Sequence, residues 1–339
     1  MSLKAGITRR GAILLGKYVA CDGFDEARPL RVVTHMHADH TLGLGRSLSQ
    51  CEAVLMTPAT RDLLSILKGK LFLLKGNIVT LDYEKPFQCK DEQITFFFAD
   101  HILGSAQVLV EDAESTRIVY TSDFRMPKTP VIECDILVME ATYGSPHCIR
   151  DFKDKVENLI VEIVDKGLNE GPVYIFGYHG KLQEVMEILW KNGVRVPYIV
   201  PERVFQVCKI YEKYGKRLGR FWHSRDNYAK KLIEENEQFV GFYHMNSRRF
   251  VGKGHFRVII SGWEFTEPYK QINEKEYVIA LSDHSDFEDL IEYVRRCRPK
   301  LVLTDNYRIG YAKVLAKEIR RRLGIKAIAA PPKKPSKKY

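Results

Sequence analysis

The chain has 339 residues, 45% of them hydrophobic and 28% charged, with a formal net charge of +10. That length accommodates a large core or two domains, and no stretch approaches the ~18 apolar residues of a membrane span. The surplus of lysine and arginine fits a polyanionic partner. Seven cysteines, an odd number with no C-x-x-C pair, argue against a disulfide framework and for a reducing cytoplasm.

Arg9-Arg10 precede the apolar run Ala12-Ile13-Leu14-Leu15, which is too short for a secretory leader and is interrupted at Lys17. Residues 12–19 read as an opening strand, followed by the turn-rich link Cys21-Asp22-Gly23-Phe24-Asp25. Pro29-Leu30-Arg31-Val32-Val33 reads as a buried strand. It runs into His35-Met36-His37-Ala38-Asp39-His40, three imidazoles and a carboxylate in six positions. These are donors that zinc and similar divalent ions prefer. The i, i+2 spacing lets His35 and His37 point the same way from extended backbone, and Asp39 and His40 are expected at the start of a helix.

Residues 53–57 read as a strand, 58–68 as a helix and 78–81 as a strand. The strand at 94–98 ends in Asp100-His101, and strands at 107–110 and 117–120 follow, the latter ending in Ser122-Asp123-Phe124-Arg125. The strand at 135–139 ends in Glu140-Ala141-Thr142-Tyr143-Gly144. Each time an apolar strand delivers one His, Asp or Glu at its carboxyl end. Loops at one edge of adjacent strands converge, so His101, Asp123 and Glu140 are expected at one site with the histidine cluster.

After Gly144 the rhythm changes to strand–helix alternation, with helices at 152–168, about 180–190 and up to 214, which implies a small parallel sheet. The first of these helices places Val156, Leu159, Ile160 and Ile163 on one face. The segment 216–256 is polar and irregular, and 146–256 reads as an inserted second domain. Strands at 258–263 and 277–281 resume the first pattern, and Leu281-Ser282-Asp283-His284-Ser285-Asp286 leads into a helix at 287–297. A strand at 301–303 ends in Thr304-Asp305-Asn306, and the helix 310–323 closes the fold with Val314, Leu315 and Ile319 buried. The basic tail 331–339 is expected to be disordered; without its four lysines the charge is still about +6.

The pattern H-x-H-x-D-H at His35–His40, with His101-Ile102-Leu103-Gly104-Ser105-Ala106-Gln107, Glu140-Ala141-Thr142-Tyr143-Gly144 and Leu281-Ser282-Asp283-His284-Ser285-Asp286, resembles the β-CASP branch of the metallo-β-lactamase superfamily. Within that branch it is similar to the ligase-associated DNA exonucleases and putative mRNA 3′-end processing factors, and Ser122-Asp123-Phe124-Arg125 looks like the Artemis and Apollo group. The resemblance implies an α/β architecture: a four-layer αββα sandwich of residues 1–145 and 257–330 with an inserted α/β β-CASP cap at 146–256. It implies that His35, His37 and His101 hold one metal, that Asp39 and His40 hold a second, and that Asp123 bridges them. Asp39, Glu140 and His284 are the implied catalytic residues. Two divalent ions are expected, zinc first, with manganese or magnesium as alternatives.

Two positions depart from the family. Asp100 stands where a glycine is usual, and Asp305-Asn306 stands where the RNA-cleaving and ligase-associated relatives carry His-Gly. Asp305 is either a ligand of the second metal or a turn residue. The expected function is a cytoplasmic metal-dependent nuclease, a 5′-to-3′ exonuclease on single-stranded DNA, with no membrane partner. An RNA-processing ribonuclease is the first alternative, and a small-molecule metallo-hydrolase of lactonase or thioesterase type is the second. His179 with Lys181, and Arg248, Arg249 and Lys253, are candidate phosphate contacts.

Overall fold

The computed structural model describes residues 4–332. The chain divides into two compact units: one formed by the chain up to Ile149 together with the chain from His284, the other by Arg150–Asp283.

In the first unit, β1 (Ala5–Ile7), β2 (Ile13–Leu15), β3 (Val19–Cys21), β4 (Leu30–Val32), β5 (Ala53–Met56) and β6 (Ile78–Thr80) form one sheet in that order. The expected single strand at 12–19 is two strands, because Gly16 turns the chain at φ +57. The first three strands are antiparallel and β3 to β6 are parallel. Helix α1 (Leu44–Gln50) lies between β4 and β5, and α2 (Pro58–Lys68) follows β5. The Thr57 hydroxyl caps α2 by accepting from Thr60 N, with Pro58 at the first position. A short helix, α3 (Lys70–Leu73), follows.

The second sheet contains β7 (Phe87–Cys89), β8 (Glu92–Phe98), β9 (Ala106–Glu111), β10 (Arg117–Tyr120) and β11 (Ile136–Met139). The chain then forms the second unit: α4 (Val156–Leu168), β12 (Val173–Gly177), α5 (Lys181–Lys191), β13 (Tyr198–Val200), α6 (Glu202–Lys213), β14 (Phe221–His223), α7 (Asn227–Glu234), β15 (Val240–His244), β16 (Phe256–Ser261), β17 (Tyr269–Asn273) and β18 (Glu276–Ala280). It returns to the first unit with α8 (Phe287–Cys297), β19 (Leu301–Asp305), α9 (Ala312–Leu323) and β20 (Lys326–Ala330). The second sheet has the order β20-β19-β11-β10-β9-β8-β7. Its strands β8, β10, β11 and β19 all run the same way, so their carboxyl ends meet one edge.

Ile13, Val19, Val32 and Leu55 of the first sheet share a core with Phe96, Val108, Ile118, Val138 and Leu303 of the second. The other face of the second sheet is covered by α8 and α9 through Phe287, Leu290, Ile291, Val294, Leu315 and Ile319. On α8 these apolar positions recur at three- and four-residue steps and make one face. Leu315 and Ile319 of α9 are buried as expected, but Val314 is 37% exposed, lying off the stripe that Ala312, Leu315, Ala316 and Ile319 bury. Leu159 of α4 is half-buried beside the buried Val156, Ile160 and Ile163.

In the second unit one sheet has the order β14-β13-β15-β12-β16-β18-β17, parallel except at β17. The expected return to the first body at residue 257 is therefore corrected. β16 and β18 pair in register with each other, and β16 pairs with β12, so the return comes at His284. Apolar runs such as Val258-Ile259-Ile260 fit any buried parallel strand, and their periodicity does not say which sheet they join. The polar stretch 216–256 also holds two strands and a helix. The basic tail from residue 333 lies outside the described residues.

Candidate metal centre

Loops at the carboxyl-end edges of the two sheets carry the candidate donors. The loop after β4 carries His35 and His37. Asp22, fully buried just beyond β3, fixes its start: Oδ1 accepts from Thr34 N at 2.9 Å and Oδ2 from the Thr34 hydroxyl at 2.7 Å. Asp22 Oδ2 also lies 2.7 Å from His40 Nδ1. That bond orients the ring and directs Nε2 toward the centre, as carboxylate partners of metal-binding histidines do. Ala38–His40 form a single 3₁₀ turn rather than the start of a helix, because α1 begins only at Leu44, after Gly43 at φ +68. Buried Arg31 holds the turn by donating to the carbonyls of His40 (2.9 Å) and Leu42 (3.2 Å). Burial lowers the Arg31 guanidinium to about 10, still charged at neutral pH.

The loop between β8 and β9 carries His101. Its carbonyl at Gly104 accepts from the hydroxyls of Thr57 (2.8 Å) and Thr60 (3.0 Å) at the start of α2. Asp100 accepts from Arg125 Nε at 3.1 Å, while Arg125 N donates to the Asp100 carbonyl at 2.7 Å. Asp100 thus ties the His101 loop to the Asp123 loop. Asp123 follows β10, aimed by buried Ser122 at φ +56, a left-handed conformation that costs ~1–2 kcal/mol outside glycine. The Ser122 hydroxyl donates to Thr34 Oγ1 at 2.7 Å. One chain of hydrogen bonds therefore runs from Ser122 through Thr34 and Asp22 to His40.

The donors converge. His37 Nδ1 is 3.2 Å from His35 Nε2 and 3.1 Å from His101 Nε2. Asp123 Oδ2 lies 3.8 Å from each of those Nε2 atoms. Donor atoms of these four residues all lie within 4.8 Å of one another. His40 Nε2 is 3.1 Å from Asp123 Oδ2 and 3.5 Å from Asp39 Oδ2, and its ring stands 4.0 Å from that of His35. Buried His40 Nε2 makes no aligned hydrogen bond.

Electrostatics follow from burial and crowding. Burial and the neighbouring His40, His101 and His37 push His35 well below the ordinary imidazole range, so it is neutral and able to donate a lone pair. Burial works against the charge on Asp123, but His40, His284 and His101 outweigh it and hold the carboxyl well below its usual value. Burial also opposes charge on His40, yet Asp123 and Asp22 raise it well above the ordinary value. Either a proton or a divalent cation answers that carboxylate-rich surround.

Beside this cluster, His284 Nδ1 lies 2.9 and 3.1 Å from the two oxygens of Glu140, which also accepts from Phe124 N at 2.9 Å. Donor atoms of Asp123, Glu140 and His284 fall within 4.8 Å of one another. The His284 ring stands 4.8 Å from that of His101. Asp305 is placed differently. Its Oδ1 accepts from Tyr307 N (2.8 Å) and its Oδ2 from Arg308 Nη1 (2.7 Å), and no three-donor group found among the described residues includes it.

The sequence reading missed Asp22 and Arg308. Asp22 fits the same rule that found the others, an acid just past a short apolar strand, but the cluster of turn residues around it masked that. Lys181 is paired with Asp283 at 3.0 Å. Arg248, Arg249 and Lys253 line a recess of about 780 Å³ in the second unit together with Arg257.

No model of a known protein family matches the chain. A protein of Acidianus ambivalens named "uncharacterized protein in lig 3′region" is 40% identical over 137 residues, 40% of this chain and 98% of that protein. A probable DNA ligase of Opitutus terrae is 26% identical over 88% of this chain, which spans only 28% of the ligase's length. An RNase J-like protein of Methanocaldococcus jannaschii is 27% identical over 80% of this chain and 79% of its own. A crystal structure of an Enterococcus faecalis protein of unknown function shares the fold at a TM-score of 0.62 and 13% identity, over 90% of this chain and 79% of that one. Fold and donor set together define a metal-binding α/β protein. The names of these relatives, with the fold and the donor set, support the β-CASP branch of the metallo-β-lactamase superfamily.

Proposed function

We propose that the chain is a metal-dependent phosphodiesterase that degrades single-stranded nucleic acid, DNA in the first instance, from the 5′ end. In this reading the first unit is an αββα sandwich, with α1 and α2 as its fourth layer, and the second unit is the β-CASP cap. The observation that carries the proposal is the gathering of His35, His37, His101 and His40 nitrogens around Asp123, next to a His284–Glu140 pair. The donor set suits a divalent ion of the zinc type, and the orphaned His40 Nε2 is the kind of buried polar atom that such an ion satisfies. His35, His37, His101 and Asp123 would hold one ion; Asp39 and His40 would hold a second, with Asp123 shared. Bound there, divalent ions lower the pKa of water and stabilise charge on a phosphoryl oxygen.

The protein's own residues do the rest. Glu140 fixes the His284 ring and keeps a proton on Nδ1, which leaves Nε2 to exchange a proton with the substrate. A histidine placed this way is suited to protonate the leaving oxygen. Asp39 is 57% exposed, unlike the other donors, and is the carboxylate best placed to meet solvent. The recess lined by Arg248, Arg249, Lys253 and Arg257 supports a phosphate-rich partner. Glu276 lies 2.6 Å from Arg248 and 3.8 Å from Arg257, so Arg249 and Lys253 carry most of its free charge.

The name of the Methanocaldococcus relative supports RNA as a second substrate, and no residue described above distinguishes a 2′-hydroxyl. The test is digestion of 5′-labelled single-stranded DNA and RNA with zinc, manganese or magnesium. Short products from the labelled end are expected first. A ladder of long fragments preceding them overturns the exonuclease reading. Cleavage of a lactone or thioester with neither nucleic acid touched overturns the nuclease.

A further inference from the structure

We propose that Arg308 stands as a fixed cation at the corner where a further ligand would close the second ion's shell. The chain then holds one divalent ion firmly and the second only weakly. This rests on the metal-centre reading above. Arg308 reaches back from the loop after β19, and its side chain is 8% exposed. Nη1 donates to Asp305 Oδ2 at 2.7 Å. Nη2 donates to the carbonyls of Asp39 (3.1 Å) and Asp22 (3.2 Å). Nε lies 3.9 Å from Asp39 Oδ2 and makes no hydrogen bond.

One side chain therefore touches the loop bearing Asp39, the residue that orients His40, and Asp305 at the end of β19. A guanidinium has donors only and does not lose its proton, so it supplies positive charge there but no lone pair. Asp305 does not supply one either. Oδ1 faces two backbone N–H groups, those of Tyr307 and Arg308, and Oδ2 faces Arg308. To ligate, it would have to leave an ion pair that is almost wholly buried, which is costly when the partner stays behind.

The two ion sites proposed to share Asp123 are thus unequal. Three imidazole nitrogens serve the first. At the second, His40 and exposed Asp39 stand within reach of a guanidinium that competes for the same carboxylate charge. Buried Arg31 sits on the same turn through the His40 carbonyl, so two cations already hold the segment that a second ion would approach.

The test is metal counting on the full chain, stripped with a chelator and dialysed against graded free zinc. Wild type is expected to take one ion per chain at low zinc and the second at roughly tenfold or higher concentration. Arg308→Gln should tighten the second ion by roughly 10–100-fold and leave the first within about threefold. Because Arg308→Gln strands a buried Asp305, the pair Asp305→His with Arg308→Gln is measured beside it and should show the same gain. Two ions of equal affinity in wild type, or a second affinity that neither variant improves, overturns the role of Arg308 while leaving the metal centre intact. A wild-type chain that binds no zinc overturns the metal centre itself, and this inference with it.

Discussion

Asp22 stands outside the four-donor group, yet it fixes the start of the histidine loop and the ring of His40. Asp22→Asn keeps the shape but removes the charge that orients Nδ1. Metal affinity on the His40 side should fall roughly 10–100-fold, as for other partners of metal-bound histidine, in equilibrium dialysis against zinc. His37 Nδ1 lies 3.2 Å from His35 Nε2 and 3.1 Å from His101 Nε2, so His37→Ala should remove the firmly held ion and abolish cleavage. A folded, fully active His37→Ala chain would sink the site assignment. His284 is proposed as a proton donor and not as a ligand. His284→Ala should therefore keep its metal content and lose roughly 10²–10⁴-fold in cleavage. A substrate with a better leaving group should recover part of that deficit; a fall in metal content in this variant would make His284 a ligand.

At the scale of elements, the site is a set of loops held in place by the helices and strands beneath them. The turn after His101 shows the dependence: Gly104 sits at φ +85, and a Cβ there would come 2.7 Å from the Thr60 hydroxyl. Gly104→Ala should cost about 1–3 kcal/mol, read as a lower midpoint of thermal unfolding, with metal content lowered because His101 moves. An unchanged midpoint would show that the loop yields without cost. Such a loop is legible in sequence only through its chemistry. The strands that end in His101, Asp123 and Glu140 announce themselves because an apolar run stops at a residue able to bind a metal. Helix α8 is legible end to end because its apolar stripe is unbroken. Asp305 and Arg308 are not, since an acid followed three residues later by an arginine is an ordinary turn pair until their geometry shows what they face. Nor is the extent of the second unit, because β16 and β18 have the same apolar character whichever sheet they join.

For the whole molecule the relevant quantity is charge. A formal +10 and a recess lined by three arginines and a lysine predict that a single strand is held chiefly through its phosphates. Each phosphate neutralised releases condensed counterions, so log affinity should fall with log salt at about −0.7 per phosphate neutralised. Binding is best measured on His284→Ala, where cleavage is expected to be slow, using fluorescently labelled DNA and RNA of the same length. Arg249→Ala with Lys253→Ala should weaken both and flatten the slope by roughly 0.7 for each phosphate that the two side chains no longer neutralise. Similar slopes for DNA and RNA are expected, because the backbone is what the cations meet. A salt-independent affinity, or an unchanged slope in the double variant, would take the recess of the second unit out of the substrate path.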